Sequence, residues 1–221
     1  MCFSAAVSFT AGTVLVTVGA ISVGKSTTVP QALLSSIPVM FGVQQFAEGV
    51  LWLSLVRPEF GVFVVPAKYL FLFFAQVVWP LLVPFIILRL EPEPEKRKVL
   101  RALAVTGMFV SFYLAYCLMT YRVDASIDCY HILYSLYFPE VLVEIVAVLY
   151  VIAVIGPLFV SGIREIRPLA ISIVISLAIT AIFYQYYLIS LWCFFAAILS
   201  VEILYAVFSL NSDDGRKVSF R

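Results

Sequence analysis

Long apolar runs, broken by short polar or proline-rich stretches, organise the chain from one end to the other. A bilayer core of about 30 Å takes about 20 apolar residues in a helix. Seven runs satisfy that length: residues 5–24, 31–56, 66–88, 99–120, 139–161, 168–184 and 187–210. Only Gln185 and Tyr186 separate the last two. One helix over both is far too long for a bilayer even when tilted, so a tight hairpin is expected there. Pro30, Pro66, Pro139 and Pro168 stand near span starts, where a missing N–H costs nothing. Pro38, Pro80, Pro84 and Pro157 fall inside spans and are expected to kink them. The expected fold class is all-α, a single integral membrane domain over residues 1–221 built as a seven-helix bundle.

Composition agrees: 63% of the residues are hydrophobic and 12% charged, with a mean hydropathy of +1.08. That excludes a cytosolic enzyme, a disordered tail and a nucleic-acid binder. A net charge of +1 names no polyanionic partner, so the expected surroundings are the lipid bilayer. The basic residues set an orientation. With the N-terminus outside, Lys25, Arg89, Lys96, Arg97, Lys98, Arg101, Arg164, Arg167, Arg216, Lys217 and Arg221 lie inside, against Arg57, Lys68 and Arg122 outside. The positive-inside rule then predicts N-out, C-in, in a plasma or inner membrane. No basic residue precedes the first span, so that span is expected to stay in the protein rather than be cleaved as a signal.

Gly19 to Ser26 reads G-A-I-S-V-G-K-S and satisfies the phosphate-loop pattern. That pattern works only between a buried strand and a helix. Here its first half lies in a span, so no nucleotide is expected, and Gly19 and Gly24 read as a fraying helix end. Three soluble segments remain. Residues 125–138, with Tyr130, Tyr134, Tyr137 and Phe138, suit a helix lying at the membrane interface. Residues 90–98 read as a stiff solvated connector and residues 211–221 as a mobile tail.

Candidate chemistry concentrates on the outer side. A charge near the bilayer centre costs about 2.5–3.5 kcal/mol on insertion scales, so Glu48, Glu144 and Glu202 must be neutral, paired or facing a cavity. Gln44 and Gln45 lie one turn before Glu48, which sits about 12 Å below the outer end of its span. Glu140 and Glu144 share a face of the fifth span, and Gln76 and Gln185 add polar groups. Cys2, Cys117, Cys129 and Cys193 all fall on the outer side, where Cys2, Cys129 and Cys193 are disulfide candidates if the compartment is oxidising. His131 is the single histidine. Cys2, Glu48, Cys129 and His131 form one ligand set for a divalent metal such as zinc, although no two stand at metal-motif spacing. Glu48, Glu144 and His131 are the catalytic candidates, and Gln44, Gln45, Gln76, Glu140 and Glu144 the polar pocket.

The opening Met1-Cys2-Phe3-Ser4-Ala5, the stretch from Gln44 and Gln45 through Glu48 and Gly49 to Trp52, and Gln76 with Trp79 and Pro80 resemble a family of small prokaryotic membrane proteins of unknown function. The likeness is best over the first three spans. It implies a multi-span bundle in which Cys2, Gln45, Glu48, Gln76 and Trp79 carry the family pattern, and it supplies no substrate. Three functions stay open: an outward-facing intramembrane site for a metal or small ligand, with enzymatic activity undecided; a small-solute or proton-coupled transporter; and a structural or accessory subunit. Self-association into a homo-oligomer is a further open partnership.

Overall fold

The computed structural model describes residues 4–128 and 131–219, with the side chains of residues 185, 193, 194, 196–198 and 211–219 outside that description. Ser4 caps α1 (Ala5–Lys25) by accepting from the Val7 amide. Thr28 caps α2 (Val29–Val56) in a capping box with Gln31. A 3₁₀ turn, Pro58–Phe63, leads into a rod made of α3 (Val64–Leu72), a π-helical stretch Phe73–Val78 and α4 (Trp79–Leu90). Then come α5 (Pro94–Thr120), strands β1 (Val123–Asp128) and β2 (His131–Leu136), α6 (Glu140–Val160), α7 (Arg167–Phe183) and α8 (Leu188–Ser219). Six helical segments are long and apolar enough to cross a membrane: Ala5–Lys25, Val29–Val56, Pro58–Leu90, Pro94–Thr120, Glu140–Val160 and Arg164–Phe183. A seventh helix, α8, follows across the short turn Gln185–Tyr187; its apolar stretch among the described residues, Leu199–Leu210, is shorter than those six.

The first two helices pack backbone to backbone. A Cβ on Gly42 would stand 2.9 Å from the Gly12 carbonyl oxygen, closer than real Cβ atoms approach. Gly19, expected at a fraying end, is instead buried inside α1 against Val39. Ser26 closes that helix with its hydroxyl 2.8 Å from that of Ser35, so the G-x-x-x-x-G-K-S pattern is helix interior and cap rather than a loop.

The π-helical stretch has a cause and a set of compensations. In i→i+5 geometry the Trp79 amide bonds the Phe74 carbonyl, and the next donor in the series would be Pro80, which has none. The Ala75 carbonyl is therefore left over, and the Tyr150 hydroxyl of α6 donates to it at 2.7 Å. Ser111 of α5 donates to the Val77 carbonyl at 2.7 Å. Pro84 likewise frees the Pro80 carbonyl, and Gly107 of α5 lies against it so closely that a Cβ there would stand 1.9 Å from the oxygen. Neighbouring helices thus satisfy what the prolines remove.

Three expectations are corrected. Residues 125–138 form most of an antiparallel hairpin, not an interfacial helix, with Val123 opposite Leu136, Ala125 opposite Tyr134 and Ile127 opposite Ile132. These positions give one apolar face in strict alternation, which a strand presents and a helix scatters. That face docks on α3, where Tyr134 stacks on Phe71 at 4.9 Å and Lys68 donates to the Val123 carbonyl. Residues 94–98, expected as connector, are the first turn of α5, where Pro94 fits the start, Glu95 suits the positive helix end, and Lys98 pairs with Glu95 at 3.0 Å. Glu91, in the same stretch, is buried and accepts from Ser161 and the Gly162 amide. Finally, α8 continues through residues 211–219 instead of ending at 210.

Candidate functional site: an apolar cavity in the helix bundle

Glu48 is fully buried on α2. Its carboxylate accepts from Ser190 at 2.8 Å and from the Gln45 carboxamide at 3.4 Å, so α2 and the start of α8 are tied through it. Three residues before Ser190, Tyr187 donates to Asp128 at 2.6 Å, and its ring lies 4.7 Å from that of His131. Tyr184 covers another side of the imidazole at 5.9 Å. His131 is buried, and loss of water pushes its pKa below the usual histidine value, with Asp128 across the hairpin pulling weakly the other way. Glu48 and His131 therefore meet one short stretch of chain, residues 184–190, from two sides.

A cavity of about 350 Å³ is lined by Leu188 and Ile189 of this stretch. It runs from Leu136, Phe138 and Leu188 near the hairpin to Leu158, Leu169 and Ile203 far down the bundle. Among the described residues none that lines it is charged. The polar groups on its wall are Gln44, Gln76, Trp79, Tyr113, Tyr150 and Trp192. The Trp79 indole donates to Gln44 at 3.1 Å and stacks on Phe41 at 4.0 Å, which fixes the α2 face. Tyr150 is held by Ala75. Along α6 the wall is thin, because Val143 lines the cavity while 45% exposed, and Ala147 is exposed as well. The wall is therefore least covered at the hairpin-side half of α6.

The residues predicted from sequence divide accordingly. Gln44 and Gln76 line the cavity, Gln45 and Glu48 bond each other beside Ser190, and His131 packs on Tyr184 and Tyr187. Glu140 and Glu144 are exposed on α6 and make no ion pair among the described residues. Glu202 accepts from Ser172 between α7 and α8. Among the described residues no three His, Cys, Asp or Glu side chains form a metal-sized group. Cys2 and Cys129, and the side chains of Cys193 and Gln185, lie outside the described residues, while Cys117 is a buried free thiol. Tyr113, Tyr150, Ser190 and Trp192 were not singled out from the sequence, because aromatic and hydroxyl residues are common throughout such a chain. The one available signal for Tyr150 was a proline whose missing donor needed a substitute.

No curated protein and no solved structure matches the chain. A family model described as a family of unknown function (DUF6629) matches residues 1–217, and the chain belongs to that family.

Proposed function

We propose that this is an integral membrane protein of seven spans, N-terminus outside, whose cavity holds an elongated apolar molecule taken sideways from the bilayer. The observation that carries the reading is a cavity of about 350 Å³, uncharged among the described residues, whose α6 wall includes the exposed Val143 and Ala147. Its volume falls within the range of about 300–1,000 Å³ typical of small-molecule sites, and its composition, apolar with a few placed polar groups, is of the same kind. On the same half of α6, Ile145 and Val148 are exposed aliphatics suited to lipid tails. The bonds of Glu48 with Gln45 and Ser190 tie α8 to α2 next to the cavity residues Gln44, Leu188 and Ile189.

Two of the three tryptophans, Trp79 and Trp192, line the cavity, whereas Trp52 packs in a separate core against Leu51 and Phe71. In a Trp52→Phe background, a long-chain bromoalkane added to the detergent-solubilised protein should quench fluorescence saturably. Filling the cavity with Val154→Phe should weaken that quenching at least several-fold. Quenching that rises linearly with probe, unaffected by Val154→Phe, would refute the reading.

A further inference from the structure

The cavity is drawn out along the helices. Val143 and Leu158 both line it, fifteen residues apart on α6, and so do Leu188 and Ile203, fifteen residues apart on α8. At a rise of about 1.5 Å per residue each pair spans about 22 Å. Both helices set out from the hairpin end, α6 after β2 and α8 from the turn whose Tyr187 bonds Asp128 and packs on His131, so the two lengths follow one direction. The volume spread over that length is small. An apolar cavity of about 150 Å³ takes one benzene, with its six carbons, so in proportion about 350 Å³ takes about fourteen carbons. Leu158, Leu169 and Ile203 at the far end are at most 5% exposed, whereas Val143 near the hairpin is 45% exposed. The length open to a ligand is therefore bounded at the far end.

We infer that the cavity takes one unbranched hydrocarbon chain, with about fourteen carbons inside it, lying in single file along α6 and α8 and ending against Leu158 and Ile203. The inference rests on the cavity reading above and names the class of molecule: a single-chain lipid, or one tail of a two-chain lipid. About fourteen carbons fill a length of about 22 Å only when they follow one another. A fused-ring molecule of the same carbon count is shorter and wider, so it would overlap the side walls and leave the ends of the cavity without contacts. Two chains side by side meet the same walls. Carbons beyond the length of the cavity emerge where α6 is least covered, beside Val143 and Ala147, and add no contact inside.

The test is competition against the bromoalkane at constant detergent, read by Trp79 and Trp192 quenching in the Trp52→Phe protein. The competitors are the linear alkane of about fourteen carbons, alkanes half as long and half as long again, and a saturated three-ring hydrocarbon of the same carbon count. At equal mole fraction in the micelle, the matched alkane should displace the probe at least several-fold better than the short one and the fused-ring one, and the longest should gain nothing further. Ile203→Phe, which shortens the far end, should bring that plateau to shorter chains, and Leu158→Ala, which lengthens it, to longer ones, so either variant that folds serves. Equal displacement by the fused-ring and linear hydrocarbons overturns the inference, as does a plateau that neither variant moves, while the cavity reading stands. A phosphatidylcholine brominated along one tail separates the two sources: saturable quenching by it assigns a lipid tail, and saturable quenching by the bromoalkane alone assigns a free chain. Absence of any saturable quenching by the bromoalkane is a different result, which removes the cavity reading itself.

Discussion

An imidazole set between Tyr184 and Tyr187 loses most of its water, and for a base that penalises the protonated form. The folded-state pKa of His131 therefore lies below the unfolded value of about 6.5. Between those two values the unfolded chain binds more protons, so stability rises with pH there. The contribution is fully present above about pH 6.5 and is lost as the solution acidifies toward the folded pKa. Thermal denaturation in detergent should thus be level near neutrality and fall below about pH 6.5, and His131→Gln should fall less steeply. Equal slopes for the two proteins would exclude His131 as the group responsible. The sequence showed a lone histidine beside interfacial aromatics but not which rings would enclose it. Glu48 was legible in the same partial way. Its burial follows from its place in an apolar run, whereas Ser190, 142 residues away, was invisible until α8 folded back on α2.

At the scale of the element, the rod from α3 to α4 depends on donors from outside itself. Tyr150→Phe removes the hydroxyl that takes the place of the amide Pro80 lacks and leaves the Ala75 carbonyl unpaired. The expected loss is about 1–3 kcal/mol, measured by reversible unfolding in mixed micelles. Gly107→Ala should cost at least as much, because its methyl would overlap the Pro80 carbonyl and force α4 and α5 apart. Unchanged stability in both variants would mean that the π-helical stretch does not need its neighbours. The sequence places the prolines and the carbonyls they leave free, since a missing N–H is a local fact. It did not foresee which helix would answer each free carbonyl, which is a matter of packing. The hairpin was misread for a different reason. The aromatics of residues 125–138 suit an interfacial helix, but only period two brings Val123, Ala125, Ile127, Ile132, Tyr134 and Leu136 onto one face.

For the whole molecule, the proposed orientation makes a prediction of its own. Val62 lies 76% exposed in the turn before α3, and Lys98 lies in the basic first turn of α5. A cysteine at Val62 should react with a membrane-impermeant thiol reagent in intact cells, and one at Lys98 only after permeabilisation, each judged against the unsubstituted chain. The opposite pattern would invert the topology. The apolar runs, their lengths and their proline punctuation were decided by the sequence, because the cost of hydrating or burying a segment depends on composition alone. The proposed sidedness rests on the basic residues, on the same local grounds. The partners of Glu48, the enclosure of His131, the hairpin's seat on Phe71 and the cavity drawn out along α6 and α8 were decided by tertiary structure. Each of these joins residues far apart in the chain, and helix periodicity fixes only which face a residue occupies, not which neighbour that face will meet.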